Sequence, residues 1–240
     1  MENNILITIC ARGGSKEIPG KNIKLINGLP LIAYTIKHAK MFGKYFSCNI
    51  GLSTDSLEIK KVASNFGLHT SYTRSPDLAN DTAGKLDVIK DLIEYEEQKS
   101  NKKFDFILDL DVTSPLRTIN DLKQAFLLIK QNKEALNLFS VSIAKKNPYF
   151  NMVEEKEDGY FSLVKNIGDI LSRQKAPKVY ELNASFYFYR REYFNLDYKT
   201  AISNKSLVYV MDHICFDLDE LVDFYFMEYL LQNNLLDFQL

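Results

Sequence analysis

The chain has 240 residues, enough for one large α/β domain or a domain with an appendage around a sizeable buried core. With 46% hydrophobic and 25% charged residues it has the make-up of an ordinary soluble globule, and 30 basic against 31 acidic side chains offer no basic surface for polymeric nucleic acid, so any anion site must be a local cluster. The longest apolar runs fall well short of the ~20 residues of a bilayer span. The opening MENN leads straight into the first apolar run, with no room for a signal sequence, so a cytoplasmic protein with no membrane partner is expected. Cys10, Cys48 and Cys215 form no CxxC pair and are expected to be reduced packing residues.

Hydrophobic periodicity predicts a strand at 5–10, and the twelve residues after it, ARGGSKEIPGKN, hold the strongest chemical signal in the chain. Arg12, Lys16 and Lys21 bring three cations to one loop, while Gly13, Gly14 and Gly20 let the backbone approach a ligand or take positive φ. A loop of this kind at the carboxyl end of a strand suits a polyphosphate, although a solvated surface loop has the same composition. Its spacing, R-x3-K-x4-K-N, is neither GxxxxGK[ST] nor GxGxxG.

Further along, helices are predicted at 31–40, 57–65, 84–98, 119–131 and 218–231, and strands at 49–54, 70–72, 104–110, 138–143, 185–189 and 207–210. Thr118 or Asn120 can cap the helix at 119–131. This alternation predicts an α/β sheet covered on both faces. Three polar groups fall at element ends. Arg74 and the turn Asn80, Asp81, Thr82 follow the strand at 70–72. The run DVTSPLR follows the strand at 104–110, and alternation places Asp109 and Asp111 on one side. Asp217 and Asp219 in DLDEL precede the last helix, where they are either ligands for a hard divalent cation or helix-capping acids. Residues 145–183 sustain neither period and are too long for an ordinary loop, which predicts an excursion packing on another subunit. His38, His69 and His213 show no partner pattern and are expected to be structural.

The loop with Arg12, Lys16, Lys21 and Asn22, the TSPLR run at 113–117, the RQ pair at 173–174, the segment from Asn183 to Tyr187 and the DLD run at 217–219 occur in one order along nearly the whole chain. In that order they resemble the CMP-sialic acid synthetase (acylneuraminate cytidylyltransferase) family, and within it the CMP-legionaminic acid synthetases. The resemblance implies a Rossmann-like three-layer α/β nucleotidyltransferase, a single domain over 1–240 with residues 145–183 as a dimerisation arm of a homodimer. It implies CTP and a nonulosonic acid as substrates, CMP-sugar and pyrophosphate as products, and a role in bacterial surface glycan or flagellin glycosylation. CTP would be bound by Arg12, Gly13, Gly14, Ser15, Lys16, Lys21, Asn22, Arg74 and Thr82, with Arg12, Lys16, Lys21 and Asp217 catalytic. Asp217 and Asp219 would hold Mg²⁺. The sugar would meet Asp111, Thr113, Ser114, Arg173, Gln174, Asn183 and Tyr187. Asp111 stands where sialic acid enzymes commonly have glutamine, and Lys85 where a serine is usual. With the NPYFN run at 147–151, these departures favour N,N'-diacetyllegionaminic acid over N-acetylneuraminic acid. A nucleotidyltransferase for another base and sugar, and a catalytically silent nucleotide-binding regulator, remain the other readings.

Overall fold

Alternation of short β-branched runs with longer amphipathic ones is carried through in the computed structural model, which describes residues 3–14, 18–168 and 170–240. In chain order the strands are β1 (Ile5–Cys10), β2 (Leu25–Ile26), β3 (Leu29–Pro30), β4 (Cys48–Ser53), β5 (Phe106–Leu110), β6 (Asn137–Ile143), β7 (Val153–Glu155), β8 (Phe161–Leu163), β9 (Tyr180–Arg190) and β10 (Ser206–Val210). The helices are α1 (Leu31–Phe42), α2 (Leu57–Asn65), α3 (Lys85–Ser100), α4 (Ile119–Gln131) and α5 (Leu221–Gln232). The main sheet has the order β10-β6-β9-β5-β1-β4. β1 pairs in parallel with β4 and β5, β10 pairs in parallel with β6, and β9 runs antiparallel between β5 and β6.

Alternation along each strand separates two cores. Ile5, Ile7 and Ile9 of β1 join Phe106, Leu108 and Leu110 of β5 and Phe186 and Phe188 of β9 beneath α1 and α4. Leu6, Ile107, Tyr187 and Tyr189 face the other way, against Ile89 and Ile93 of α3. The result is a three-layer α/β structure whose ligand-facing edge lies at the carboxyl ends of β1, β4 and β5, which sit side by side.

The structure departs from expectation at four places. Residues 70–72 form no strand; Tyr72 is buried against α3, where its hydroxyl bonds the Asp91 carboxylate. β9 starts at Tyr180 rather than 185, because Ala184 takes φ 56° and the pairing with β6 shifts register between Phe139 and Val141. Such an irregularity breaks the two-residue period on which a strand is recognised. The excursion at 145–183 therefore gives its last residues to the main sheet, and its middle is the β7–β8 hairpin, turning at Gly159 with φ 80°. Finally, α5 starts at Leu221, not at 218. Its cap is Glu220, paired with Asp223 in a reciprocal capping box, so Asp217 and Asp219 do not cap it. No helix among the described residues is long and apolar enough to cross a membrane.

Candidate active site

A cavity of about 530 Å³ opens at the carboxyl ends of β1, β4 and β5, with cations along one wall and carboxylates along the other. The cationic wall begins where β1 ends. Gly13 N–H donates to Asp55 Oδ1 at 2.8 Å, and a Cβ on Gly13 would lie 3.0 Å from Ser56 Cβ, so this position requires the missing side chain. Gly14 has open space around it. Gly20 at φ 66° turns the chain into a short 3₁₀ segment, Lys21–Ile23. That turn buries Asn22, whose Nδ2 donates to the Arg12 carbonyl at 2.9 Å. Arg12 Nη1 lies 2.6 Å from Asp81 Oδ1. Lys21 Nζ donates to the Leu218 carbonyl at 2.7 Å and sits 3.4 Å from Asp219 Oδ1, tying the first loop to the acidic segment before α5. Ser15 and Lys16 lie outside the described residues.

Arg74 completes this wall. Its guanidinium donates to Ser53 Oγ at 2.9 Å and to the Ser53 carbonyl at 2.8 Å, which holds a buried cation at the end of β4. Thr82 is exposed and gives both its N–H and its hydroxyl to Asn80 Oδ1. The turn so formed presents Asn80 and Asp81 to the cavity, rather than Thr82 itself.

The acidic wall comes from β5 and the segment before α5. Asp111 Oδ1 accepts from the N–H and hydroxyl of Thr113 at 3.0 and 2.9 Å, and its Oδ2 lies 2.6 Å from Lys85 Nζ. Burial alone would raise the Asp111 carboxyl, but the adjacent Lys85 ammonium and the Thr113 donors outweigh it and bring it to about 2. Burial likewise works against the Lys85 charge, yet Asp109 and Asp111 together hold its pKa well above the ordinary lysine value. Asp217 is the opposite case: burial first, then the nearby charges of Asp111 and Asp219, push its carboxyl up. Its Oδ1 is buried and accepts no hydrogen bond. A buried acceptor left unmet beside a second carboxylate fits a divalent cation, although no group of three His, Cys, Asp or Glu side chains suited to a metal occurs among the described residues.

Several residues expected at the sugar are placed elsewhere. Ser114 and Asn183 do not line the cavity. Ser114 Oγ donates to the Asn183 carbonyl at 2.6 Å, Asn183 Oδ1 accepts from Ser140 Oγ at 2.6 Å, and its Nδ2 reaches Ser142 Oγ at 3.0 Å. Both are buried, and their polar atoms are spent joining β9 to β6 and to the loop after β5. Arg173 and Gln174 are exposed on the excursion; Arg173 Nη2 donates to the carbonyls of Ala144 and Lys145 at 3.1 and 2.8 Å, and neither residue lines the cavity of its own chain. Tyr187 is buried, with its ring under the Lys85 ammonium. Arg117, the last residue of TSPLR, is fully buried and donates to the carbonyls of Asp111 and Ser185, so it fixes the backbone from which Asp111 projects.

Asp55, Lys85 and Asp109 are the polar groups around the site whose parts were not read from the sequence. Asp55 lies two residues past β4 at the same sheet edge, which is the one signal that pointed to it.

Residues 6–236 match the cytidylyltransferase family. The post-translational flagellin modification protein B of Campylobacter coli is 40% identical over 233 residues, 97% of this chain and 97% of that protein. The CMP-N,N'-diacetyllegionaminic acid synthase of Campylobacter jejuni subsp. jejuni serotype O:2 is 40% identical over 229 residues, 95% of this chain and 94% of that protein. Among solved structures, CMP:2-keto-3-deoxy-manno-octonic acid synthetase complexed with CTP has the same fold, with a TM-score of 0.69 at 17% identity over 96% of this chain and 99% of that one. With its cation-lined loop, opposed carboxylates and three-layer α/β architecture, the chain belongs to the cytidylyltransferase family and is a nucleotidyltransferase.

Proposed function

We propose that the protein joins CTP to a nonulosonic acid, N,N'-diacetyllegionaminic acid first among them, releasing pyrophosphate, and that its product serves bacterial surface glycan or flagellin glycosylation. The observation that carries this reading is the division of one cavity between Arg12, Lys21 and Arg74 on one wall and Asp111, Asp217 and Asp219 on the other. Cations suit the triphosphate; carboxylates suit a polyhydroxylated sugar and a divalent ion. The sugar assignment is supported by the 40% identity with a C. jejuni protein named as a CMP-N,N'-diacetyllegionaminic acid synthase.

In this reaction the anomeric hydroxyl oxygen attacks the α-phosphorus, the bond to the bridging oxygen breaks, pyrophosphate leaves and the hydroxyl proton is released. Charge grows on the phosphate oxygens during transfer, so cations fixed before the substrate arrives stabilise the transition state without reorganising. Arg12 and Lys21, with Lys16, would take the β- and γ-phosphates, and Asn22 and Arg74 would flank the nucleoside. Asp217 and Asp219 would hold Mg²⁺, which when bound neutralises phosphate charge and polarises the phosphoryl oxygens. Arg173 and Gln174, remote from the cavity of their own chain, would serve the partner's site in a homodimer formed through residues 145–183.

The test is pyrophosphate release and CMP-sugar formation from CTP and Mg²⁺ with a panel of nonulosonic acids. The highest kcat/KM is expected for N,N'-diacetyllegionaminic acid. Equal or greater kcat/KM for N-acetylneuraminic acid would overturn the choice of sugar, and no turnover of CTP with any member of the panel would overturn the reading as a whole.

A further inference from the structure

One face of the sheet carries a charged cluster that the transfer reaction does not by itself require. Thr8 of β1 lies opposite Asp109 of β5, and Asp109 lies opposite Tyr187 of β9, so the three side chains stand in a row on the side covered by α3. Asp109 is completely buried. Its Oδ1 accepts from Thr8 Oγ1 at 2.8 Å, and its Oδ2 lies 2.9 Å from Lys85 Nζ. A carboxylate so deep is tolerated only with a charged partner, and Lys85, at the first position of α3, is that partner. The same ammonium sits 5.0 Å from the centre of the Tyr187 ring and 2.6 Å from Asp111 Oδ2.

Lys85 therefore has three fixed neighbours. Asp111 has few options left: of roughly four acceptor positions on a carboxylate, Thr113 takes two and Lys85 one. What it still offers the cavity is an acceptor and never a donor.

We propose that Lys85 is a positioning residue: anchored on Asp109, it fixes Asp111 as an ionised, acceptor-only group at the sugar end of the cavity. The enzyme thereby selects nonulosonic acids that present a hydrogen-bond donor there, a hydroxyl or an acylamido N–H. This rests on the reading of the cavity as a CTP and nonulosonic acid site. The competing account is that Lys85 only neutralises Asp109 and has no bearing on substrate.

The two accounts separate in a background where Asp109 needs no neutralising. Asp109→Asn keeps an oxygen for Thr8 and removes the buried charge, and on its own should leave the KM for the sugar acid within about twofold of wild type. Adding Lys85→Met should then raise the KM for the sugar acid about tenfold, leave the KM for CTP within about twofold, and leave the melting temperature near that of Asp109→Asn. An unchanged sugar KM in this double variant, or an equal rise in the KM for CTP, overturns the proposal. Asp111→Asn, which leaves the Lys85–Asp109 pair in place, gives a second measurement. It should raise the sugar KM by a similar factor, and combined with Asp109→Asn and Lys85→Met it should add less than twofold, since both routes disable one group. Fully multiplicative effects overturn the proposal. Wild-type enzyme that releases no pyrophosphate with any nonulosonic acid would instead overturn the reading beneath it, and the proposal with it.

Discussion

Arg12 is only partly covered and its nearest acceptor is the Asp81 carboxylate, so its charge is available to a ligand that displaces that contact. Arg12→Ala should leave the fold intact and lower kcat/KM for CTP about a hundredfold, the effect of losing ~3 kcal/mol of transition-state stabilisation; an unchanged kcat/KM would remove Arg12 from the site. For Asp217, whose Oδ1 is buried and unpaired, Asp217→Asn should raise the Mg²⁺ concentration for half-maximal rate severalfold without lowering the melting temperature. Unaltered metal dependence with a shifted melt would make Asp217 a structural residue. The types of chemistry in this site were legible in the sequence because cations and carboxylates clustered at strand ends, where an α/β sheet exposes them. What each side chain touches was not. Ser114 and Asn183 are polar residues in a motif-bearing stretch, yet the shift in strand pairing around Ala184 spends their hydrogen bonds inside the protein. The Lys85 pairing joins residues 24 and 26 positions away, a contact that spacing does not encode.

Elements were read most accurately where a cap and a period agree. The bounds of α4 coincide with its hydrophobic repeat because Thr118 and Asp121 form a capping box at its start. β9 was read short, and α5 was started too early, because a positive-φ residue interrupts one and an acidic stretch precedes the other. The α4 cap also carries a pH dependence. Asp121 Oδ2 lies 2.9 Å from His213 Nε2, joining the chain after β10 to the head of α4. Burial opposes charge on His213, but the Asp121 hydrogen bond and the Ile214 carbonyl outweigh it and raise the imidazole above 6.5. Asp121 is lowered despite its burial, so it stays ionised through the neutral range. A group whose folded pKa is raised adds stability that is complete below its unfolded value and is lost as pH rises through the folded one. The melting temperature of His213→Gln should therefore fall furthest below wild type near pH ~5.5 and approach it above pH ~8. A difference that does not vary with pH would show that the pair contributes by packing alone.

At the scale of the whole molecule, the excursion at 145–183 is the part whose surface does not suit a lone chain. Leu171 is 85% exposed, Tyr160 76%, Ile143 65% and Phe161 64%, and a two-stranded hairpin such as β7–β8 has marginal stability by itself in water. Arg173, on the same excursion, is tied to the carbonyls of Ala144 and Lys145, which gives the segment a defined shape without bringing it back to its own cavity. An ordered, apolar, outward-facing segment is accounted for if a second copy covers it, and a two-fold arrangement buries both copies at once. Light scattering at micromolar concentration should accordingly give twice the 27.7 kDa chain mass. Replacing both Phe161 and Leu171 by glutamate should yield monomers that keep the fold of the main sheet, since neither side chain belongs to its two cores. If Arg173 serves the partner, those monomers should also lose most of their kcat/KM for the sugar acid. A wild-type monomer that is fully active would rule out both the dimer and the shared site, whereas a dimer that survives the double substitution would move the interface to another face of the protein.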